Sequence, residues 1–467
     1  MSSKDKRNAV PLYVHAGYGS SESGLTAVEI MLQLYLLQFY VSHVGLDPLW
    51  AGLALAIAIA WDAISDPAMG FISDRSQSAQ GRRRPWILAG GLLLAAVFPL
   101  LFHPPALATQ SAKFVFLCIS YIAVKTAMTI ISVPHAALGG ELARDPRERT
   151  RAYAFRLLFG NLGLIAGTVI PGVLLQLYAT TPQASAVSKS EASLWIAFML
   201  VPGTLLVYWT TRGYDRSPPA RTGSRPGQTL QAVWHATRAV LLNPFFMPLL
   251  LAYFIAGLGR SLNSAIALYY YTDFLLLNET TVVVQVLGVF AVSICISILF
   301  WVLAANRYGK KWPGFVGILL LGVGTALAYP NFQPGSLSGP IGAAVIGGFL
   351  AGSILLFDAL VADITDYDQW KSGQRREGLY FGYWRMSAKA SQALGVALAG
   401  AVLSWIGYDQ SSPVQSRATA DSLAWVFGPG VGLFFVAAAL MLSLSPWQGS
   451  FHDRIQKVLQ HRERKTI

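Results

Sequence analysis

Asp62 and Asp66 stand four positions apart within residues 49–72, an apolar stretch otherwise long enough to cross a bilayer. In a helix that spacing puts both carboxylates on one face, with Ser65 beside them. A charge near the middle of a membrane helix costs at least about 2.5–3.5 kcal/mol on insertion scales, so two on one face call for a function, and the usual one is handling an ion or a proton. Carboxylates held this close disfavour each other's ionisation unless a cation neutralises them, so the pair can take up either a proton or a hard metal ion. Pro67, the next residue, removes a helical hydrogen bond and is expected to free a carbonyl as a further oxygen donor.

The surroundings of that pair are those of a membrane protein. The 467 residues are 54% hydrophobic and only 12% charged, against roughly 25% charged in soluble domains. Apolar runs recur at 25–44, 49–72, 86–107, 114–138, 153–178, 194–211, 245–277, 283–305, 313–329, 341–361, 381–406 and 423–444. Each is near or above the ~20 residues of a spanning helix, which predicts an all-α integral membrane protein of twelve transmembrane helices. Residues 1–7 are polar and charged and the first apolar run is full length, so that run is expected to stay as a span and not to be a signal peptide. Cys118 and Cys295 both lie inside apolar runs, which argues for packing as small hydrophobes and against a disulfide framework.

The net charge of +12 is distributed in a way that excludes a nucleic-acid footprint. Basic residues gather in alternate loops: Arg75 and Arg82 to Arg84; Arg144, Arg147, Arg149 and Arg151; Arg212, Arg216, Arg221 and Arg225; Arg307, Lys310 and Lys311; Lys371, Arg375 and Arg376; and the C-terminal tail. By the positive-inside rule these loops, with Lys4, Lys6 and Arg7, are cytoplasmic. Both termini are then predicted inside, as an even helix count requires. The seven histidines are scattered, and no phosphate loop, metal-binding His pair or nucleophile elbow appears, so an enzyme is not expected.

The longest cytoplasmic connection, 212–242, is rich in Pro, Gly, Ser and Arg and divides the chain into a bundle at 1–211 and a second at 243–446, with a tail at 447–467. Two six-helix halves joined by a polar loop are the layout of transporters that rock about a central site. The loops rhyme as well: Asp74-Arg75 with Gly81-Arg-Arg-Arg-Pro85 after the second span, Asn306-Arg307-Tyr-Gly309-Lys310-Lys311-Trp-Pro313 after the eighth. Asp74 is a candidate gate residue, able to pair with Arg75, Arg82, Arg83 or Arg84 across the cytoplasmic mouth. In the seventh span, Asn263 is a cavity candidate, while Tyr269-Tyr-Tyr-Thr-Asp273 reads as an interfacial aromatic belt. Gly160, Gly163 and Gly167 have the spacing of close helix packing.

The stretch Trp61-Asp-Ala-Ile-Ser-Asp-Pro-Ala-Met-Gly70, with Asp74-Arg75 and Gly81-Arg-Arg-Arg-Pro-Trp86, resembles the glycoside–pentoside–hexuronide:cation symporters, the melibiose-permease type. Ala362-Asp-Ile-Thr-Asp-Tyr-Asp368, then Lys371-Ser-Gly373, Arg376-Glu-Gly378 and Lys389, resembles that family's loop between helices 10 and 11. The resemblance implies a major facilitator fold with a central cavity, alternating access, and symport with Na+ or H+ in a bacterial inner membrane, needing no other cofactor. It also implies that Thr129, on the fourth span, joins Asp62, Ser65 and Asp66 around the cation, with Asp62 and Asp66 as the metal ligands if that cation is sodium. The competing reading is that a carboxylate there pairs with Lys125, one turn before Thr129, and a lysine so tethered weakens the case for sodium.

On the substrate side the chain departs from the family pattern. Ungapped counting places Thr26 and Ser132 where the family's sugar-binding aspartates stand, and Ala136 and Ile354 where it has aromatics. The basic members persist: Arg156 and Lys389 match cavity positions, and Arg385 lies one turn before Lys389. Bases without their acids suit a carboxylate, sulfonate or phosphate, such as a hexuronide; alternatively Glu29 and Asp358 neutralise them. The expected partner is a small organic solute, a glycoside or hexuronide, with a lysophospholipid or other anionic amphiphile as the alternative. Beyond membrane lipid and a monovalent cation no partner is expected, and a monomer is the default.

Overall fold

The computed structural model describes residues 10–446 apart from 77, 79, 143–145, 182, 215–236, 373–375, 411 and 413. Most of the 212–242 linker and the whole 447–467 tail therefore lie outside the described residues, as do Lys4, Lys6, Arg7, Arg144, Arg216, Arg221, Arg225, Gly373 and Arg375. Among the described residues there is no strand, and twelve helices are long and apolar enough to span a bilayer. They are α1 Leu12–His43, α2 Pro48–Arg75, α3 Arg84–Leu101, α4 Gln110–Gly139, α5 Arg151–Leu177, α6 Ala184–Thr210, α7 Phe246–Phe274, α8 Glu279–Tyr308, α9 Lys311–Asn331, α10 Ser338–Ser372, α11 Gly378–Trp405 and α12 Arg417–Ser443.

Among the helices that differ from their hydropathy bounds, two extend well past them for a polar reason. The first span begins at Leu12, well before residue 25, because His15, Ser20 and Ser21 are buried in hydrogen bonds that a hydropathy average scores as breaks. Ser20 Oγ, for example, donates to the carbonyls of Gly17 and Gly203 at 2.7 and 2.9 Å. The tenth span runs on through Asp363 and Asp368 to Ser372, so the motif expected in a loop is helical. Its carboxylates are offset locally: Lys310 Nζ lies 2.5 Å from Asp363 Oδ1 and Arg376 Nη1 3.8 Å from Asp368 Oδ2.

The chain forms two compact units, one drawn from Met1–Gly223, Asn278–Val284 and Gly400–Pro413, the other from Ser224–Leu277, Gln285–Ala399 and Val414–Ile467. Inside the first, α1 packs on α5 and α6, α2 on α4, and α3 on α4 and α6. Inside the second, α7 packs on α12, α8 on α10, and α9 on α10 and α12, four of the first unit's five pairings shifted by six helices. Both α1 and α7 end in a π-helical turn, Phe39–His43 and Tyr270–Phe274. The rhyming basic loops also prove structurally equivalent. Arg84 opens α3 and donates through Nε to the Tyr208 carbonyl at the end of α6, at 2.8 Å. Lys311 opens α9 and donates to the Ser443 carbonyl at the end of α12, at 3.1 Å. In each unit a buried cation thus satisfies carbonyls that a helix C-terminus leaves unpaired.

Close approach in the first unit depends on α5 glycines. A Cβ at Gly163 would sit 2.2 Å from the Ser23 carbonyl oxygen, and one at Gly167 2.6 Å from that of Ala27. Without a hydrophobic force between helices in lipid, such backbone contact supplies much of the packing. The second unit has a different seam. Tyr269, Tyr270 and Tyr271 are buried rather than interfacial; Tyr270 stacks on Phe427 with ring centroids 4.4 Å apart and donates to the Tyr329 carbonyl at 2.6 Å. Tyr270 and Tyr271, both in the π-turn, pack on Phe427 of α12, so these rings are held in the protein interior and not at an aromatic belt.

Candidate ion and solute sites

The helix spacing of α2 does what the sequence requires of it. Asp62 and Ser65 are buried, at 6% and 8% exposure, and both face α4 together with Asp66. Thr129 Oγ1 donates to Asp66 Oδ1 at 2.7 Å and lies 3.2 Å from Ser65 Oγ. Lys125 Nζ lies 3.4 Å from Asp62 Oδ2. The four residues expected at the ion are therefore together, and the competing base is among them. Pro67 is accommodated inside α2, which continues unbroken from Pro48 to Arg75. Among the described residues no three His, Cys, Asp or Glu side chains are grouped to hold a metal, so an ion here would rest on two carboxylates and neighbouring hydroxyls.

A second polar cluster, in the same unit, joins α1, α4 and α5. Arg156 grips Glu22 in a fork, Nε to Oε2 at 2.9 Å and Nη2 to Oε1 at 3.0 Å. His135 Nδ1 lies 3.5 Å from the same carboxylate, and its ring stacks on Tyr18 at 4.5 Å. Arg156 is thus not neutralised by Glu29, which is exposed and accepts from Gln33 at 3.2 Å. Nor is it left without an acid. The family's helix 1 carboxylate position holds Thr26, but Glu22, one turn earlier on the same face, supplies the carboxylate. Glu22 Cγ and Thr26 Oγ1 flank Gly160 of α5 equally, each 3.5 Å from where its Cβ would be. Glu22, Thr26, Glu29 and Gln33 follow helical spacing, and that periodicity was the available clue to Glu22. Ser132 is partly buried on α4.

In the second unit, Asp358 accepts from Trp384 Nε1 at 2.6 Å, and Trp384 stacks on Tyr253 with centroids 3.9 Å apart. Asp358 is therefore tied to an indole. Asn263 and Lys389 are partly buried, and Arg385 is exposed on α11.

The gate residues divide. Asp74 pairs with Arg83, but within the first unit, joining the end of α2 to the start of α3. Arg84 donates to the Tyr208 and Gln80 carbonyls. Arg75 lies over the Phe71 ring at 3.7 Å, and Arg82 is partly buried. A short connection brings these neighbouring helix ends together, so the acid meets an arginine of its own unit. A further buried ion pair of that unit joins Lys189 Nζ of α6 to Glu279 Oε1 at 2.5 Å, with Ser185 Oγ 2.6 Å from the same ammonium. In the sequence Lys189 stands out only as a base outside the main clusters.

Known proteins agree with this architecture. Residues 17–448 match the family model described as MFS/sugar transport protein. The chain is 26% identical over 436 residues to the inner membrane symporter YicJ of Escherichia coli strain K12, covering 92% of this chain and 89% of that one. It is 24% identical over 444 residues to the isoprimeverose transporter of Lactiplantibacillus pentosus, covering 93% and 89%. The crystal structure of the nucleoside transporter NupG superposes with a TM-score of 0.63 at 13% identity, covering 93% of this chain and 100% of that one, a likeness of fold. The chain accordingly belongs to the MFS/sugar transport family of glycoside–pentoside–hexuronide:cation symporter type, and is a multi-pass membrane transporter of the major facilitator superfamily rather than an enzyme.

Proposed function

We propose that this protein is a symporter that couples an inward monovalent-cation gradient, Na+ or H+, to uptake of a neutral glycoside by alternating access. It acts as a monomer in a bacterial inner membrane, with both termini in the cytoplasm. The observation that carries the solute class is the bidentate Glu22–Arg156 pair. A carboxylate and a guanidinium held side by side present acceptors and donors that match adjacent sugar hydroxyls. Because the two charges cancel, the site suits a neutral solute better than a hexuronide or an anionic amphiphile. The isoprimeverose transporter among the relatives supports the same class. On the ion side, Asp62 and Asp66 on one buried face, with Ser65 and Thr129 beside them, support a coupling site.

The test is uptake by proteoliposomes of a panel of neutral disaccharide glycosides, hexuronides and lysophospholipids, with and without imposed Na+ and H+ gradients. Accumulation of a neutral glycoside driven by a cation gradient is the expected result. Accumulation that ignores every gradient, or transport confined to the anionic compounds, overturns the reading.

A further inference from the structure

We propose that the Lys125 ammonium is the resident cation of the α2 acid pair, standing where a sodium ion would otherwise be bound, so that this chain does not use sodium at that site. The inference rests on the reading of Asp62 and Asp66 as the coupling site, and it names the cation that site excludes. Lys125 sits one helical turn before Thr129 on α4, so its side chain enters the same face that presents the hydroxyl. Its Nζ is 3.4 Å from Asp62 Oδ2. Both residues are almost wholly buried, Lys125 at 4% and Asp62 at 6% exposure. A lysine is almost never buried so deeply without a specific partner. One turn earlier, buried Tyr121 turns its ring toward the same ammonium, with the centroid 5.6 Å from Nζ. Tyr121, Lys125 and Thr129 thus form one stripe of α4 laid against the acids of α2. A sodium ion placed on the carboxylates would sit within a few ångströms of a fixed positive charge in a low-dielectric setting, where repulsion is weakly screened. It would also have to displace the ammonium from Asp62. The ammonium is covalently tethered and does not cross, so the role it takes from sodium is neutralising and positioning, not carriage.

The test uses the purified full chain and needs no solute. Thermal unfolding is followed in sodium, potassium and choline chloride at equal ionic strength. The wild type should melt at the same temperature in all three. Lys125→Ala should gain a sodium-selective rise of about 3 °C or more, since ligand binding to the folded state alone raises the melting temperature. Lys125→Arg, which keeps the charge, should gain none. Sodium-selective stabilisation of the wild type overturns the proposal, and so does a folded Lys125→Ala that ignores sodium. Should that variant not fold, binding of radioactive sodium to the wild type decides: saturable binding overturns the proposal, and its absence supports it. Sodium dependence of glycoside uptake in wild-type vesicles would overturn this inference while leaving the symport reading intact. Gradient-independent uptake would sink the symport reading alone, because the sodium measurements still report on Lys125.

Discussion

Glu22 and Asp62 make opposite demands on their partners. Arg156 carries a charge that Glu22 cancels through two hydrogen bonds. Glu22→Gln keeps the shape but leaves the guanidinium uncompensated, and charged hydrogen bonds of this kind are worth about 1.5–3 kcal/mol. Uptake of a neutral glycoside should fall by about tenfold or more, with partial recovery in Glu22→Asp, read as initial rates in vesicles. Asp62 has a buried ammonium beside it. Asp62→Asn should abolish cation-driven accumulation while leaving solute exchange measurable. It should also lower stability by about 3–5 kcal/mol, because it strands a buried charge. Asp62→Asn combined with Lys125→Met should recover much of that stability, since removing both charges of a buried pair costs far less than removing one. A thermal-unfolding cycle over the four proteins checks this, and strict additivity would refute the pairing.

Among the helices, the decisive contacts are backbone ones. Gly163 lets α5 meet α1 so closely that any side chain there strikes the Ser23 carbonyl. Gly163→Leu should destabilise the first unit by several kcal/mol and reduce the yield of folded protein, measured by the fraction that elutes monodisperse in detergent. The cations that close α6 and α12 work at the same scale. Arg84→Met leaves the Tyr208 carbonyl buried without its guanidinium, and Lys311→Met does the same to Ser443. Each should lower the melting temperature by an amount corresponding to about 1–3 kcal/mol. Equivalent losses from equivalent positions would be the energetic counterpart of the repeated helix pairings in the two units.

At the scale of the whole molecule, the twelve spans among the described residues and the positive bias in alternate loops predict that both ends lie in the cytoplasm. Green fluorescent protein fused to either terminus should fluoresce, and alkaline phosphatase fused to either should be inactive. Activity of a phosphatase fusion at one end alone would mean an odd number of crossings.

Much of this protein is written along the chain because lipid imposes a one-dimensional rule. A span must be apolar for about twenty residues, so span number and the two acids that violate the rule are legible without coordinates. The i, i+4 relation of Asp62 and Asp66 is equally local, fixed by helix geometry. What the sequence leaves open is which partner meets each charge. That Arg156 takes Glu22 and not Glu29, that Lys125 reaches Asp62, that Asp74 meets Arg83 while Arg84 turns to α6, and that the helix 7 tyrosines point inward depends on how helices distant in sequence rotate against one another. Those rotations are set by side-chain volume, glycine contacts and π-turns acting together, and only the packed helices determine them.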